Sequence, residues 1–574
     1  MPQSSCDLIV RSRSIYRRIV NKALGSAPTC GITKCMCMLT DALEIQMSRK
    51  SQIAAAVLAL LAFGVPPQET QAAMIFHRGN TAEPDSLDPH LTTSGYAGNI
   101  IFDMFVGLTT LDSKANLLPG AAESWTISPD GKTYTFKIRK GMLWSDGTPV
   151  TAEDFAYAFR RTMDPKTASR AAPMLYMISN AREINSGKAP VESLGVRAVD
   201  TSTFEVKLLN PTPYFLELIA HRCYPVPRWA IEKFGKDWTK PANIVVNGAF
   251  KLAEWTPQSQ IRLVRNPKFF ANDTVKLDEV IFYPTEDQNS ALKRYRADEL
   301  DVIVNFPPSQ YEWLKENLPK DLTSTQNYGL LYYTFNTRKA PFNDPRVRNA
   351  LAMTLDREMF VDKIMRGGEL AAYSLIPEVM RKGYVPPPSP WHNVPMAERM
   401  TKAKALLAEA GYGPDKPLRF TFRYNTDDIQ RRVALAAAQV WKTMGVESQL
   451  QNSELNILNA DLRNGDYEVA RYQWFAEYAD PTSFLYLLES TTVGDNHSKY
   501  NNPEYDAVMQ KVYQEADIAK RTNLMREAEA IALRDSPITP INFYVSKRLA
   551  KPYVKGMDAN PRGINISRYV TIER

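Results

Sequence analysis

The chain has 574 residues, a length that fits roughly two to four domains and can bury a large core without a disulfide or metal staple. Its composition is that of an ordinary globular protein, 44% hydrophobic and 23% charged, with a formal charge of +7 from 70 Lys/Arg against 63 Asp/Glu. Proline (39) outnumbers glycine (26), which points to stiff connections rather than flexible linkers.

The N-terminal part reads as a targeting segment. Met47-Ser48-Arg49-Lys50 precedes an apolar run over Ile53–Phe63, and small residues follow near Thr70-Gln71-Ala72-Ala73. A basic start, an apolar stretch of this length and a small-residue site predict a cleaved secretory signal peptide over 47–73. The run is too short for a membrane anchor and Gly64-Val65-Pro66-Pro67 ends it. No cysteine stands at the cleavage region, which argues against a lipoprotein. Met47 is then the expected physiological start, and 1–46 a non-native extension. Residues 1–73 hold eight Lys/Arg and four Asp/Glu, so the remainder carries only +3, no electrostatic footprint for nucleic acid. Of the cysteines only Cys223 remains beyond that segment, so no internal disulfide is expected.

Short strands alternate with amphipathic helices along the rest. Tyr134, Phe136 and Ile138 alternate with polar residues behind Ser128-Pro129-Asp130-Gly131, which predicts a half-buried hairpin. Thr151-Ala152-Glu153-Asp154 offers a capping box for a helix bearing Phe155, Phe159 and Met163. Strands are expected at 204–209, 260–264 and 279–283. Asp344 and Pro345 open a helix with Val347, Ala350, Leu351 and Leu355 inward. A helix over 402–410 should end at Gly411. The order that follows is a strand at Leu418, Phe420, Phe422 and Tyr424, a helix over 429–444 and a strand over 446–450. That order is an α/β unit, so at least two α/β lobes are expected, with a boundary near 328–336.

Catalytic spacings are missing. No phosphate loop, zinc helix or nucleophile elbow occurs. His77, His90, His221, His392 and His497 are not at metal-ligand spacing, and no metal or cofactor is expected. Paired carboxylates of a hydrolase are not singled out by context, and that class stays open.

Several blocks resemble bacterial extracellular solute-binding proteins of family 5, the group that includes the oligopeptide- and dipeptide-binding proteins. They are Asp85-Ser86-Leu87-Asp88-Pro89-His90, the stretch from Leu118-Pro119-Gly120 through Trp144-Ser145-Asp146-Gly147-Thr148-Pro149 to Phe155, Phe335-Asn336-Thr337, and Pro341–Arg348 with Asp356-Arg357. The resemblance implies an α/β, two-lobed periplasmic-binding-protein clamp of type II-like form. The discontinuous first lobe would comprise 74–330 plus 545–574, with an extra subdomain at about 106–230. The second lobe would comprise 331–544, and a peptide would lie extended between the two.

At the site the segment Tyr467–Phe484 resembles the ligand strand and following loop of the oligopeptide-binding members. The resemblance implies that Glu477 receives the peptide's α-ammonium group, in a place where the family usually has aspartate. It further implies that Gln473 and Phe475 offer main-chain partners and that Arg471 meets the carboxylate end. Arg463 is a further candidate cation. Thr93, Ser94 and Gly95 match the opposite-lobe strand by spacing. Chemically, a buried ammonium needs a carboxylate, an arginine fork suits a carboxylate, and backbone pairing holds a peptide whatever its side chains. Trp474 and Phe475, as neighbours on a strand, should face opposite sides, so that at most one lines a given pocket.

The expected protein is a non-enzymatic, monomeric periplasmic receptor that binds peptides, binds no nucleic acid, and delivers its cargo to ABC transporter permease subunits with their cytoplasmic ATPases. A secreted hydrolase and a peptide-binding sensor or chaperone module are the alternatives.

Overall fold

A computed structural model describes residues 73–574 except 93, 381, 382 and 493. The expected extension 1–46 and the signal peptide lie outside the described residues, apart from Ala73 at its end. Among the described residues no helix is long and apolar enough to cross a membrane.

Two long strands, Leu322–Phe335 and Ile538–Ala550, run antiparallel through the middle of the main sheet. On one side, strands Val302–Ile303, Ile75–Asn80, Glu279–Pro284, Gln260–Arg265 and Phe250–Thr256 follow in that order. On the other, Leu322–Phe335 pairs with Val469–Phe475, then Leu418–Asn425 and Val446–Ser453. The long strands therefore belong to both halves of the sheet.

The apolar cores divide in the same way. One core gathers Phe76 to Val302 and takes in Val554 and Val570 near the C-terminus. The buried residues of two others all lie between Tyr328 and Phe543. A four-stranded sheet of Ala122–Ile127, Thr133–Ile138, Thr203–Lys207 and Val196–Asp200 stands apart from the main sheet. Its buried Tyr134, Phe136 and Phe204 nevertheless join the first core, so no second hydrophobic nucleus forms there. The architecture is the two-domain α/β clamp implied by the sequence resemblance.

Local patterning explains the elements. The hairpin closes through a Gly131 N–H bond to the Ser128 carbonyl, with Gly131 at φ 69°, a left-handed conformation that glycine adopts without strain. Tyr134, Phe136 and Ile138 are buried, as the alternation requires. The Asp154 carboxylate accepts the Thr151 backbone N–H at 2.7 Å and fixes the start of helix Ala152–Met163. Asp344 caps helix Pro345–Met353 by accepting the Arg346 N–H at 2.8 Å. The helix expected from 402 begins earlier, at Met396, where Arg399 turns back to donate to the Val394 carbonyl at 2.7 Å.

Pairing between the two long strands is interrupted once in a way that matters. Gln326 pairs with Val545 and Leu330 with Phe543, so Asn327, Tyr328 and Gly329 oppose Tyr544 alone. This bulge turns the strand locally and frees side chains on both sides. A Cβ on Gly329 would come within 2.5 Å of the Phe475 ring, so only glycine lets that ring lie against the strand.

Beyond Phe475 the chain enters a loop anchored by a buried ion pair. Asp480 receives both Nη groups of Arg521, at 2.7 and 2.9 Å, and also the Thr482 N–H at 3.0 Å. Breaking one partner of such a pair leaves a buried charge uncompensated, whereas an apolar replacement of both does not. Asp480→Ala is expected to lower unfolding free energy in urea by about 3–5 kcal/mol. The double variant Asp480→Ala/Arg521→Met should lose less, and a loss at least as large in the double would contradict this role.

Candidate functional site

Three cavities adjoin where the two halves of the molecule face each other. The first, about 550 Å³, is walled by Ser94, Gly95 and Asn99, by His221 and Arg222, and on the other side by Asn327, Tyr328, Phe475 and Glu477. The second, about 590 Å³, shares Glu477 and extends past Trp474, Tyr478, Tyr486, Tyr214 and Met177. A third, about 400 Å³, shares Gly95, Asn99, Arg562 and Gly563 with the first and reaches the long strands at Thr325 and Lys547. Each is of a size that holds a small ligand, and their shared walls make one cleft.

The strand at its floor has an open edge. Val469–Phe475 pairs along its whole length with Leu322–Phe335, but with Leu418–Asn425 only at Val469 and Ala470. Among the described residues no strand pairs with the second edge from Arg471 onward. The Ala476 N–H bonds the Tyr328 carbonyl at 2.9 Å. Successive strand residues direct their amides to opposite sides, so the amides of Gln473 and Phe475 face the open edge. Main-chain groups in that position are a template for an extended chain.

The side chains alternate too. Arg471, Gln473 and Phe475 share one face, where Tyr544 donates to the Gln473 side chain at 2.8 Å and lies 5.0 Å from the Phe475 ring. Phe475 is 45% exposed and lines the first cavity. Trp474, on the opposite face, lines the second; its ring lies 5.7 Å from Tyr486 and its buried Nε1 has no partner among the described residues. The two neighbours thus serve different cavities, as their opposite facing predicts.

Arg471 is only 4% exposed. It donates to Gln430 and Asn425 at 3.0 Å each, to Gln473, and to Tyr544 at 2.8 Å. All of these acceptors are neutral. The nearby carboxylate of Glu468 is engaged elsewhere, by the Thr421 N–H at 2.8 Å, and Asp466 offers its carbonyl to Arg423. A buried guanidinium bonded only to neutral oxygens favours a carboxylate close by.

Glu477 sits where the first and second cavities meet. Its Oε2 accepts from Arg222 Nη2 at 2.9 Å, and its main-chain N–H donates to Ser483 Oγ at 3.2 Å. Around it, helix Phe215–Arg222 meets the 476–480 loop. Tyr214 stacks flat on Tyr478 with ring centroids 3.8 Å apart, and the Ala479 N–H donates to Glu217 at 3.3 Å. Glu217 also receives Arg562 at 2.8 Å. His221 Nδ1 lies 3.0 Å from the Glu217 carbonyl; desolvation, then Arg562 and Arg222, hold its pKa well below the usual histidine range, so the ring is neutral.

Ser94 and Gly95 line the first cavity but not as a strand. Ser94 Oγ accepts the Ala97 N–H at 3.3 Å and caps helix Gly95–Met104, because a serine before a helical run satisfies an otherwise orphaned donor. Thr93 lies outside the described residues. Arg463 is exposed on helix Leu455–Asn464 and lines none of the three cavities. Arg222, His221, Tyr214, Tyr328 and Arg562 had no local signature in the sequence; their place follows only from the packing of one half against the other. Among the described residues no group of three or more His, Cys, Asp or Glu could hold a metal ion.

The model of "Bacterial extracellular solute-binding proteins, family 5 Middle" matches residues 116–496. The chain is 40% identical to the periplasmic oligopeptide-binding protein OppA of Salmonella typhimurium over 523 residues, 89% of this chain and 96% of that protein. Among solved structures it resembles the murein tripeptide binding protein MppA of Escherichia coli, with TM-score 0.76 and 38% identity over 88% of this chain and 99% of that one. It also resembles Haemophilus influenzae OppA in complex with the peptide RPPGFSPFR, with TM-score 0.74 and 37% identity over 88% of this chain and all of that one. The chain belongs to family 5 of the bacterial extracellular solute-binding proteins.

Proposed function

We propose that this protein is the periplasmic peptide receptor of an ABC importer, holding an oligopeptide in the cleft and passing it to a membrane permease driven by cytoplasmic ATPases. The observation that carries the reading is the open edge of Val469–Phe475 on the floor of the cleft, with a carboxylate at one end and a buried arginine toward the other. Relatives named for oligopeptide and murein peptide binding share the family. Residues 74–330 with 545–574 form one lobe, with a subdomain at about 106–230, and 331–544 form the other.

In this reading the peptide adds a strand to that edge through the amides of Gln473 and Phe475. Glu477 neutralises its ammonium end and Arg471 its carboxylate end. Side chains of the peptide enter the cavities lined by Phe475 on one face and Trp474 on the other, with Ser94 and Gly95 on the opposite wall. Affinity resides in the backbone and the two ends, so the cargo is a class of peptides rather than one sequence. A ligand touching both walls binds the closed arrangement better than the open one, and that difference drives closure.

Three outcomes test this. Native mass spectrometry of protein purified from the periplasm should show heterogeneous peptide adducts that dissociate uncleaved; one non-peptide ligand, or hydrolysis of the bound peptides, would overturn the reading. Glu477→Gln should weaken free-amine peptides by ~2 kcal/mol in calorimetry and leave N-acetylated ones unaffected. Arg471→Met should remove the preference for short peptides with a free C-terminal carboxylate over their amides, and a preference that persists would take that role from Arg471.

A further inference from the structure

We infer that Arg222 is a specificity-determining residue: its guanidinium competes with the ligand's ammonium group for Glu477, so that capture of a peptide there is an exchange of cations. This rests on the ammonium role proposed for Glu477.

Both side chains line the first cavity, and Arg222 Nη2 bonds Glu477 Oε2 at 2.9 Å across it. An α-ammonium group entering the same place would seek the same oxygen. The pair is 20% and 27% exposed, so water reaches both partners and the ion pair is not sealed in an apolar interior. Among the described residues lining the first cavity no other side chain offers a cation in its place, since His221 is held neutral and Arg562 is paired with Glu217.

Arg222 is also the last residue of helix Phe215–Arg222, where the partial negative charge of a helix C-terminus favours a cation whether or not it is paired with Glu477. The backbone on both sides is fixed without the ion pair. Tyr214 stacks on Tyr478, the Ala479 N–H bonds Glu217, and the Glu477 N–H bonds Ser483. Exchange thus moves side chains and leaves the helix and loop in place.

The consequence is a muted preference for charged N-termini. With Arg222 present, the carboxylate already has a counter-ion, and an incoming ammonium gains only the difference between two cations. Removing the guanidinium should raise affinity for free-amine peptides and leave blocked ones alone, the opposite of what loss of a supporting contact would do.

Calorimetric titration of the full mature protein with trialanine and N-acetyl-trialanine, in wild type, Arg222→Gln, Arg222→Lys and Glu477→Gln, tests this. Arg222→Gln should bind trialanine about tenfold more tightly, a shift of about 1.4 kcal/mol, with N-acetyl-trialanine unchanged and Arg222→Lys close to wild type. Trialanine binding to Arg222→Gln no tighter than to wild type, while Glu477→Gln still loses it selectively, would overturn the exchange and leave the ammonium role standing. If Glu477→Gln affects both peptides alike, or neither peptide binds any of the four proteins, the ammonium role falls and the exchange with it.

Discussion

A strand that is paired on one side only is the constraint around which this molecule is arranged. From Arg471 to Phe475 the backbone has a partner in Leu322–Phe335 and, among the described residues, none on its other edge. Backbone donors and acceptors are obligatory hydrogen-bonding groups, so such an edge is satisfied by water or by another chain. Placing it on the floor of a cleft, rather than at an outer rim, restricts which chain can reach it. The neighbouring features serve that placement. The bulge at Asn327–Gly329 lets the Phe475 ring lie against the long strand, Tyr544 ties Gln473 to Arg471, and the Asp480–Arg521 pair holds the loop bearing Glu477.

Charge in the cleft is distributed unevenly along that edge. Around Glu477 the ionic groups come in pairs, Arg222 with Glu477 and Arg562 with Glu217, each joining parts of the chain far apart in sequence. Arg471, by contrast, is buried against neutral oxygens only. In the proposed reading, a peptide's cationic end would meet a partly screened carboxylate and its anionic end a guanidinium with neutral partners. That arrangement would read direction in a bound chain and leave the residues between the ends to adaptable cavities, lined by Tyr, Trp and Met, which suit varied side chains.

Much of the fold was legible in the sequence because its signals are local. Tyr134, Phe136 and Ile138 alternate as a hairpin strand must, Asp344-Pro345 opens a helix, and Gly411 and Gly445, at φ 85° and 80°, stand where helices stop. The family blocks from Asp85 to Asp356 supplied the architecture, which no periodicity could have specified. What stayed hidden is non-local. Arg222 and Glu477 are 255 positions apart, and the acceptors of Arg471 lie 46 and 41 positions upstream at Asn425 and Gln430. Spacing alone places Ser94 in a strand, whereas its hydroxyl caps helix Gly95–Met104, because a serine side chain ahead of a helical run satisfies an orphaned N–H whatever the spacing to other segments.

A crystal structure of the protein with a free-amine tripeptide would test the central claim most directly. The account predicts an extended peptide whose main chain bonds the amides of Gln473 and Phe475, with its terminal nitrogen at ~2.8 Å from a Glu477 carboxylate oxygen. A ligand held by side chains alone in one of the cavities, with the 471–475 edge still facing water, would contradict it.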